Sequence, residues 1–202
     1  MYEIEMKFCV EQPEEFQKRM KEELQIEFGP VLTEIDYFFQ HPERDFQKTD
    51  ECLRIRERNQ NEYRITYKGP RLDILTKSRE EIELPLTLLT QKNTLTEWKK
   101  LLERLGFTYF ASVKKLRRNA FFSFKNRDYE MTLDEIPTVG TFTEIETDVD
   151  SDDPLDRDFA RAEILLLAKN LHLETCIPRS YLGLFLDAQQ SNPKNRNNPN
   201  SQ

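Results

Sequence analysis

Histidine and cysteine are scarce in this chain, and no part of it is apolar for long. Its two histidines, His41 and His172, lack a second His at ligand spacing, which argues against a zinc centre. Cys9, Cys52 and Cys176 are odd in number, scattered and without CxxC spacing, so they read as buried free thiols of a reducing cytoplasm. No apolar run reaches about 18 residues, and no charged-then-apolar leader opens the chain. Neither a membrane span nor a signal peptide is expected, and the expected location is cytoplasmic. Net positive charge is also missing. The formal charge of −7 argues against a general binder of nucleic acid or anionic membrane.

What is present suits one domain. The 202 residues are 33% charged and 37% hydrophobic, polar for a globular protein but short of the composition of disorder. From Asp187 the chain turns to Asn, Gln, Ser and Pro, so residues 1–186 are read as the domain and 187–202 as a disordered polar tail. There is no internal repeat.

Three stretches carry helical periodicity. Pro13 opens one running to Leu24, with Phe16, Met20 and Leu24 in line. Thr94 and Glu97 form a capping box ahead of Trp98, Leu101, Leu102 and Leu105, and Gly106 ends that stretch. Asp153-Pro154 begins the third, which reaches about Leu171 with Phe159, Ile164, Leu165, Leu167 and Leu171 as its apolar residues. All three stripes read as core faces, Trp98 included.

Elsewhere the period is two. Candidate strands cover 2–10, 31–39, 52–59, 62–68, 77–84, 107–119, 120–125, 129–136 and 141–148. Alternate side chains share a face. Glu3, Glu5 and Lys7 therefore lie together, as do Arg54, Arg56 and Arg58; Arg64, Thr66 and Lys68; Arg79, Glu81 and Glu83; Lys115 and Arg117; Thr132 and Asp134; and Glu144, Glu146 and Asp148. The opposite faces hold Ile4, Met6, Ile55, Ile65, Ile82, Leu116, Leu133 and Ile145.

Two architectures satisfy this pattern. An antiparallel sheet can turn its charged face to water. Alternatively, eight antiparallel strands close into a barrel, an α+β fold with helices packed outside and charge lining a tunnel. In the second case Lys7, Arg54, Arg56, Lys68, Arg79, Lys115 and Arg117 make a polyanion cradle, since Arg grips phosphate oxygens bidentately and Lys acts as a point charge. Glu3, Glu5, Asp134, Glu144 and Glu146 make a hard-cation site for Mg²⁺ or Mn²⁺.

The ordered set EIEMK (3–7), LRIR (53–56), TYKGP (66–70), REEIE (79–83), VKKLR (113–117), LDEIPTVGTFTEIE (133–146) and SYLGLF (180–185) resembles the CYTH superfamily of triphosphate tunnel metalloenzymes. The resemblance spans residues 1 to about 186. The segment from Asp36 through His41-Pro42-Glu43-Arg44-Asp45-Phe46 to Arg56 is similar to the class IV adenylyl cyclase branch. The resemblance implies metal-binding roles for Glu3, Glu5, Glu144, Glu146 and Asp134. It implies triphosphate binding by Lys7, Arg54, Arg56, Lys68, Lys115 and Arg117, with Arg79 and Glu81 helping to shape the tunnel and contacting the substrate. Lys7, Lys115 and Arg117 are the catalytic candidates, and Arg44 is the candidate contact at the nucleoside end. Gly183 departs from the family, where an acid follows Leu182.

The implied reaction is conversion of ATP to 3′,5′-cyclic AMP and pyrophosphate. The alternatives are hydrolysis of inorganic, nucleoside or thiamine triphosphate on the same scaffold, and a non-catalytic polyphosphate- or nucleotide-binding module. The partner is a small triphosphate, with no role for nucleic acid or membrane; a homodimer stays open.

Overall fold

The computed structural model describes residues 2–70, 79–86, 94–151 and 153–191. The elements run in the order β1 (Tyr2–Cys9), α1 (Pro13–Leu24), β2 (Leu32–Gln40), α2 (Phe46–Thr49), β3 (Cys52–Arg58), β4 (Glu62–Lys68), β5 (Glu81–Pro85), α3 (Thr94–Arg104), β6 (Thr108–Phe124), β7 (Arg127–Ile136), β8 (Gly140–Val149), α4 (Pro154–Asn170) and α5 (Tyr181–Ser191).

Local chemistry sets several boundaries. Proline at the first turn starts α1 and α4, where its missing N–H costs no hydrogen bond. The Asp153 carboxylate accepts from the Leu155 amide to cap α4, and Asp45 does the same for Gln47 at α2. Lys125 and Asn126 both take positive φ, the two-residue hairpin geometry that joins β6 to β7 with the sheet's own twist.

All eight strands are antiparallel neighbours in one sheet of order β1-β8-β7-β6-β2-β3-β4-β5. The sheet curls into a half-barrel with helices outside. Ile4, Met6, Tyr129, Met131, Ile145 and Val149 pack under α1 and α4. Ile55, Leu53 and Phe39 pack with Leu102 of α3, while Val113, Ile136 and Phe142 meet Tyr181, Leu182 and Phe185 of α5.

The expected closed barrel is not what the strands form. Among the described residues β1 and β5 share no ladder, and their two margins meet at a single bridge, Glu3 to Arg79. β5 is five residues long and ends at Pro85, which has no N–H to extend a ladder. Residues 77 and 78 of the fifth expected strand lie outside the described residues.

Other expectations are also corrected. The strands expected at 107–119 and 120–125 are one continuous β6. Leu101, Leu105, Phe159 and Leu165, read as core, are exposed, because α3 and α4 bury narrower faces than their apolar residues span. All three cysteines are free, but Cys9 is exposed at the end of β1. Two helices had no counterpart in the sequence reading: α2, too short for periodicity, and α5, which extends to Ser191, past the boundary read at 186. The remainder of the expected tail, 192–202, lies outside the described residues. No helix among the described residues is long and apolar enough to cross a membrane.

Candidate active site

The curl turns one side chain in two toward a shared cavity of about 620 Å³. Lys7 from β1, Arg54, Arg56 and Arg58 from β3, Lys68 from β4, Arg79, and Lys115 and Arg117 from β6 all line it. Glu3 and Glu5 from β1, Glu81 from β5, and Glu144, Glu146 and Asp148 from β8 line it as well. The parity expected from sequence therefore gathers these residues around one space.

Two acids that the sequence reading did not single out hold the bases apart. Glu34 on β2 is fully buried; one oxygen lies 3.1 Å from Lys115 Nζ and 3.4 Å from Arg56 Nε, and the other accepts from Arg58 Nε at 2.8 Å. Asp36 accepts two bonds from Arg56, at 2.7 and 3.0 Å, and sits 3.4 Å from Arg54. Burial opposes the charge of Glu34, yet Lys115, Arg56 and Arg117 overcome it and hold its carboxyl well below the ordinary range. Asp36 is depressed in the same way, with Arg56 and Arg54 outweighing burial. Burial, then Arg117 and Arg56, push the Lys115 ammonium below its usual range. Both acids were within reach of the sequence, since Glu34, Asp36 and Phe38 share a face by the same alternation.

Lys7 is enclosed from three sides. Its ammonium donates to the Arg179 carbonyl at 3.0 Å, pairs with Glu144 at 3.3 Å and lies 3.5 Å from the centre of the Tyr181 ring. The Tyr181 hydroxyl donates to Asp134 at 2.8 Å, so the start of α5 is fastened across the floor of the cavity.

The acids divide into two groups. Carboxylate oxygens of Glu3, Glu5 and Glu146 lie within 4.8 Å of one another. Burial, then Glu3, Glu5 and Glu130, push the Glu146 carboxyl well above its usual range. Asp134 stands apart: Arg117 donates to both its oxygens, at 2.7 and 2.5 Å, and it does not line the cavity. Glu144 also faces bases, pairing with Lys7 and, at 2.8 Å, with Arg117. Only three of the five expected metal ligands are therefore assembled for a cation, because the other two neutralise Lys7 and Arg117. Glu130, next to Glu146 across the β7–β8 ladder, joins the acidic wall unpredicted, although it shares parity with Thr132 and Asp134.

Arg44 also departs from expectation. Its half-exposed side chain bonds Glu51 at 2.9 Å and does not line the cavity, whereas Glu51, Phe46 and Gln47 do. Tyr67 and Thr49 also donate to Glu51, at 2.5 and 2.7 Å, and fix that carboxylate at the rim.

The CYTH domain family model matches residues 1–181. This chain belongs to the CYTH family. "Putative adenylate cyclase MJ0240" of Methanocaldococcus jannaschii is 29% identical over 184 residues, which span 91% of this chain and 98% of that protein. The PH1819 protein of Pyrococcus horikoshii superposes with a TM-score of 0.75 at 36% identity, covering 92% of this chain and 98% of its own. At 16% identity the fold is shared with a Hippeastrum protein described as a putative adenylyl cyclase with a dominant triphosphatase activity (TM-score 0.59; 92% and 95% covered).

Proposed function

We propose that this CYTH protein binds ATP in the cavity and converts it to 3′,5′-cyclic AMP and pyrophosphate, as a class IV adenylyl cyclase-like enzyme. The observation that carries the reading is the composition of a single cavity. Bases from β1, β3, β4 and β6 converge on it, three carboxylates cluster on one wall, and its lining continues into the apolar Phe38, Phe39, Phe46, Phe110, Leu182 and Leu186. A polyphosphate uses the bases, and a nucleoside uses the apolar side chains, which an inorganic triphosphate would leave uncovered.

The acidic cluster suits a hard divalent ion. Three oxygen donors converge, and burial beside Glu3 and Glu5 penalises the charge of Glu146 unless a cation balances it. Mg²⁺ or Mn²⁺ held by Glu3, Glu5 and Glu146 would neutralise charge on the phosphate oxygens. The chain's own bases do the rest. Arg54, Arg56, Lys115 and Arg117 bind non-bridging oxygens and fix the chain of phosphates. Lys7, held by the Tyr181 ring and the Arg179 carbonyl, offers a proton-rich ammonium to the departing pyrophosphate. The 3′-hydroxyl gives up its proton to solvent as its oxygen bonds to the α-phosphorus and the bond from that phosphorus to the β-phosphate oxygen breaks, a step that needs alignment more than covalent help.

Hydrolysis of a triphosphate is the second reading, favoured by how much of the lining addresses phosphate and how little addresses a base. Incubation with ATP or tripolyphosphate under Mg²⁺ or Mn²⁺ at alkaline pH, with products separated by chromatography, distinguishes the two. Cyclic AMP with equimolar pyrophosphate is the expected outcome. Brisk phosphate release from tripolyphosphate with no cyclic AMP would replace the cyclase with the hydrolase.

A further inference from the structure

Three bases of the cavity are tied to acids within its wall. Arg56 bonds Asp36, Arg117 bonds Asp134 and Lys115 lies against Glu34, and all three carboxylates are buried. Arg179 is placed differently. It lines the cavity just ahead of α5, yet its guanidinium reaches outward to Asp187, which does not line it. Nε donates to one Asp187 oxygen at 3.1 Å and a terminal nitrogen to the other at 2.9 Å. The two side chains are 56% and 54% exposed. A pair so open to water is weak, because solvent screens both charges.

Helix α5 leaves room for this arginine. Gly183 is buried in the first turn, its amide donating to the Ser180 hydroxyl at 3.1 Å. Its φ is not among the positive ones, so the backbone does not call for glycine, and glycine within a helix is less stable than alanine. The missing Cβ opens the space in which the Arg179 stem lies. A Cβ on Gly183 would come within 2.7 Å of Arg179 Nε and 3.1 Å of its Cγ and Cδ. The main chain of Arg179 belongs to the site as well, since its carbonyl accepts from Lys7. One residue thus fixes a base of the cavity with its backbone and lays a second base along the rim.

We propose that Arg179 is a further polyphosphate-binding residue, whose guanidinium leaves Asp187 and grips the outermost phosphate beside Lys7. This rests on the reading that the cavity takes a polyphosphate, and not on whether that substrate is cyclised or hydrolysed. A terminal phosphate offers the planar guanidinium the same two-pronged acceptor as a carboxylate, with more charge and in a less watery place. Glu34, Asp36 and Asp134 are too deeply buried to yield their bases to a ligand in this way. Asp187 is not. It holds the Arg179 side chain over Gly183 until a phosphate takes it, and so competes with the substrate.

Calorimetric titration of the full chain with tripolyphosphate in Mg²⁺ tests this. Arg179→Gln is expected to weaken binding on the order of ten-fold, the loss of one bidentate charged contact. Its thermal melt is expected to stay close to that of the wild type, because the exposed pair adds little stability. Asp187→Asn is expected to tighten binding by freeing the guanidinium, and to change nothing once residue 179 is Gln. Equal affinities of wild type and Arg179→Gln overturn the proposal. So does an Asp187→Asn gain that persists in the Arg179→Gln background, which marks the mere removal of a negative charge. A wild type that binds no tripolyphosphate removes the polyphosphate reading itself, and this proposal with it.

Discussion

Glu34 shows how much a tunnel of bases depends on its acids. It is fully buried and touches Lys115, Arg56 and Arg58, so Glu34→Gln removes a carboxylate that these cations share in a site of low polarisability. Breaking a buried pair in this way costs about 3–5 kcal/mol. Denaturant titration should show that loss, and tripolyphosphate should restore more stability to Glu34→Gln than it adds to the wild type, because the anion replaces the missing charge. The pH dependence follows from the depressed folded-state pKa. The stabilisation from Glu34 is complete above the unfolded carboxylate pKa of about 4 and is lost as pH falls toward the folded value. Acid-unfolding curves of Glu34→Gln should therefore be flatter below about pH 4 than those of the wild type. Glu146 has the opposite sign. Its folded pKa is raised, so its ionisation costs stability as pH rises from about 4 through the folded value. Metal-free Glu146→Gln should melt higher than the wild type at pH 8, match it near pH 4, and lose most of the stabilisation that Mn²⁺ gives.

At the scale of elements, the strands were readable because alternation is a rigid geometric rule. One pass placed Lys7, Arg56, Lys115 and Glu146 on a common lining. Pairing within that lining was not readable. Asp134 looks like a ligand from parity alone, and only the register that sets Arg117 opposite Asp134 shows that its oxygens are taken. Arg44 is a related case: a loop's composition does not say which of its residues turns inward, and here Arg44 pairs with Glu51. Helix α5 escaped because SYLGLF is apolar without a stripe and sits close to a polar end. Yet α5 governs Lys7. Tyr181→Phe keeps the ring over the ammonium and removes one donor to buried Asp134, so it should cost about 1–3 kcal/mol in stability. Tyr181→Ala should also weaken tripolyphosphate binding by calorimetry, since Lys7 then loses the ring that holds it.

Across the whole molecule, the net charge of −7 contrasts with a cavity rich in bases, so the acids elsewhere repel a bare polyanion more than the metal-complexed phosphate proposed here. The joint between β1 and the stretch before β5 bears on how such a ligand loads. Among the described residues Glu3 forms the one bridge across that joint, with Arg79, and its carboxylate pairs with Lys68 on β4 at 3.2 Å. The same carboxylate belongs to the acid trio. A cation held by that trio, as proposed, would draw Glu3 toward Glu5 and Glu146 and away from Lys68. Loading should trade side-chain fastening for metal bonds at the least-zipped line of the sheet. Hydrogen exchange at the Arg79 amide, compared with and without Mn²⁺, should change more than at any amide of the β6–β7 ladder. The joint between these margins would then loosen at the same carboxylate that takes up the cation.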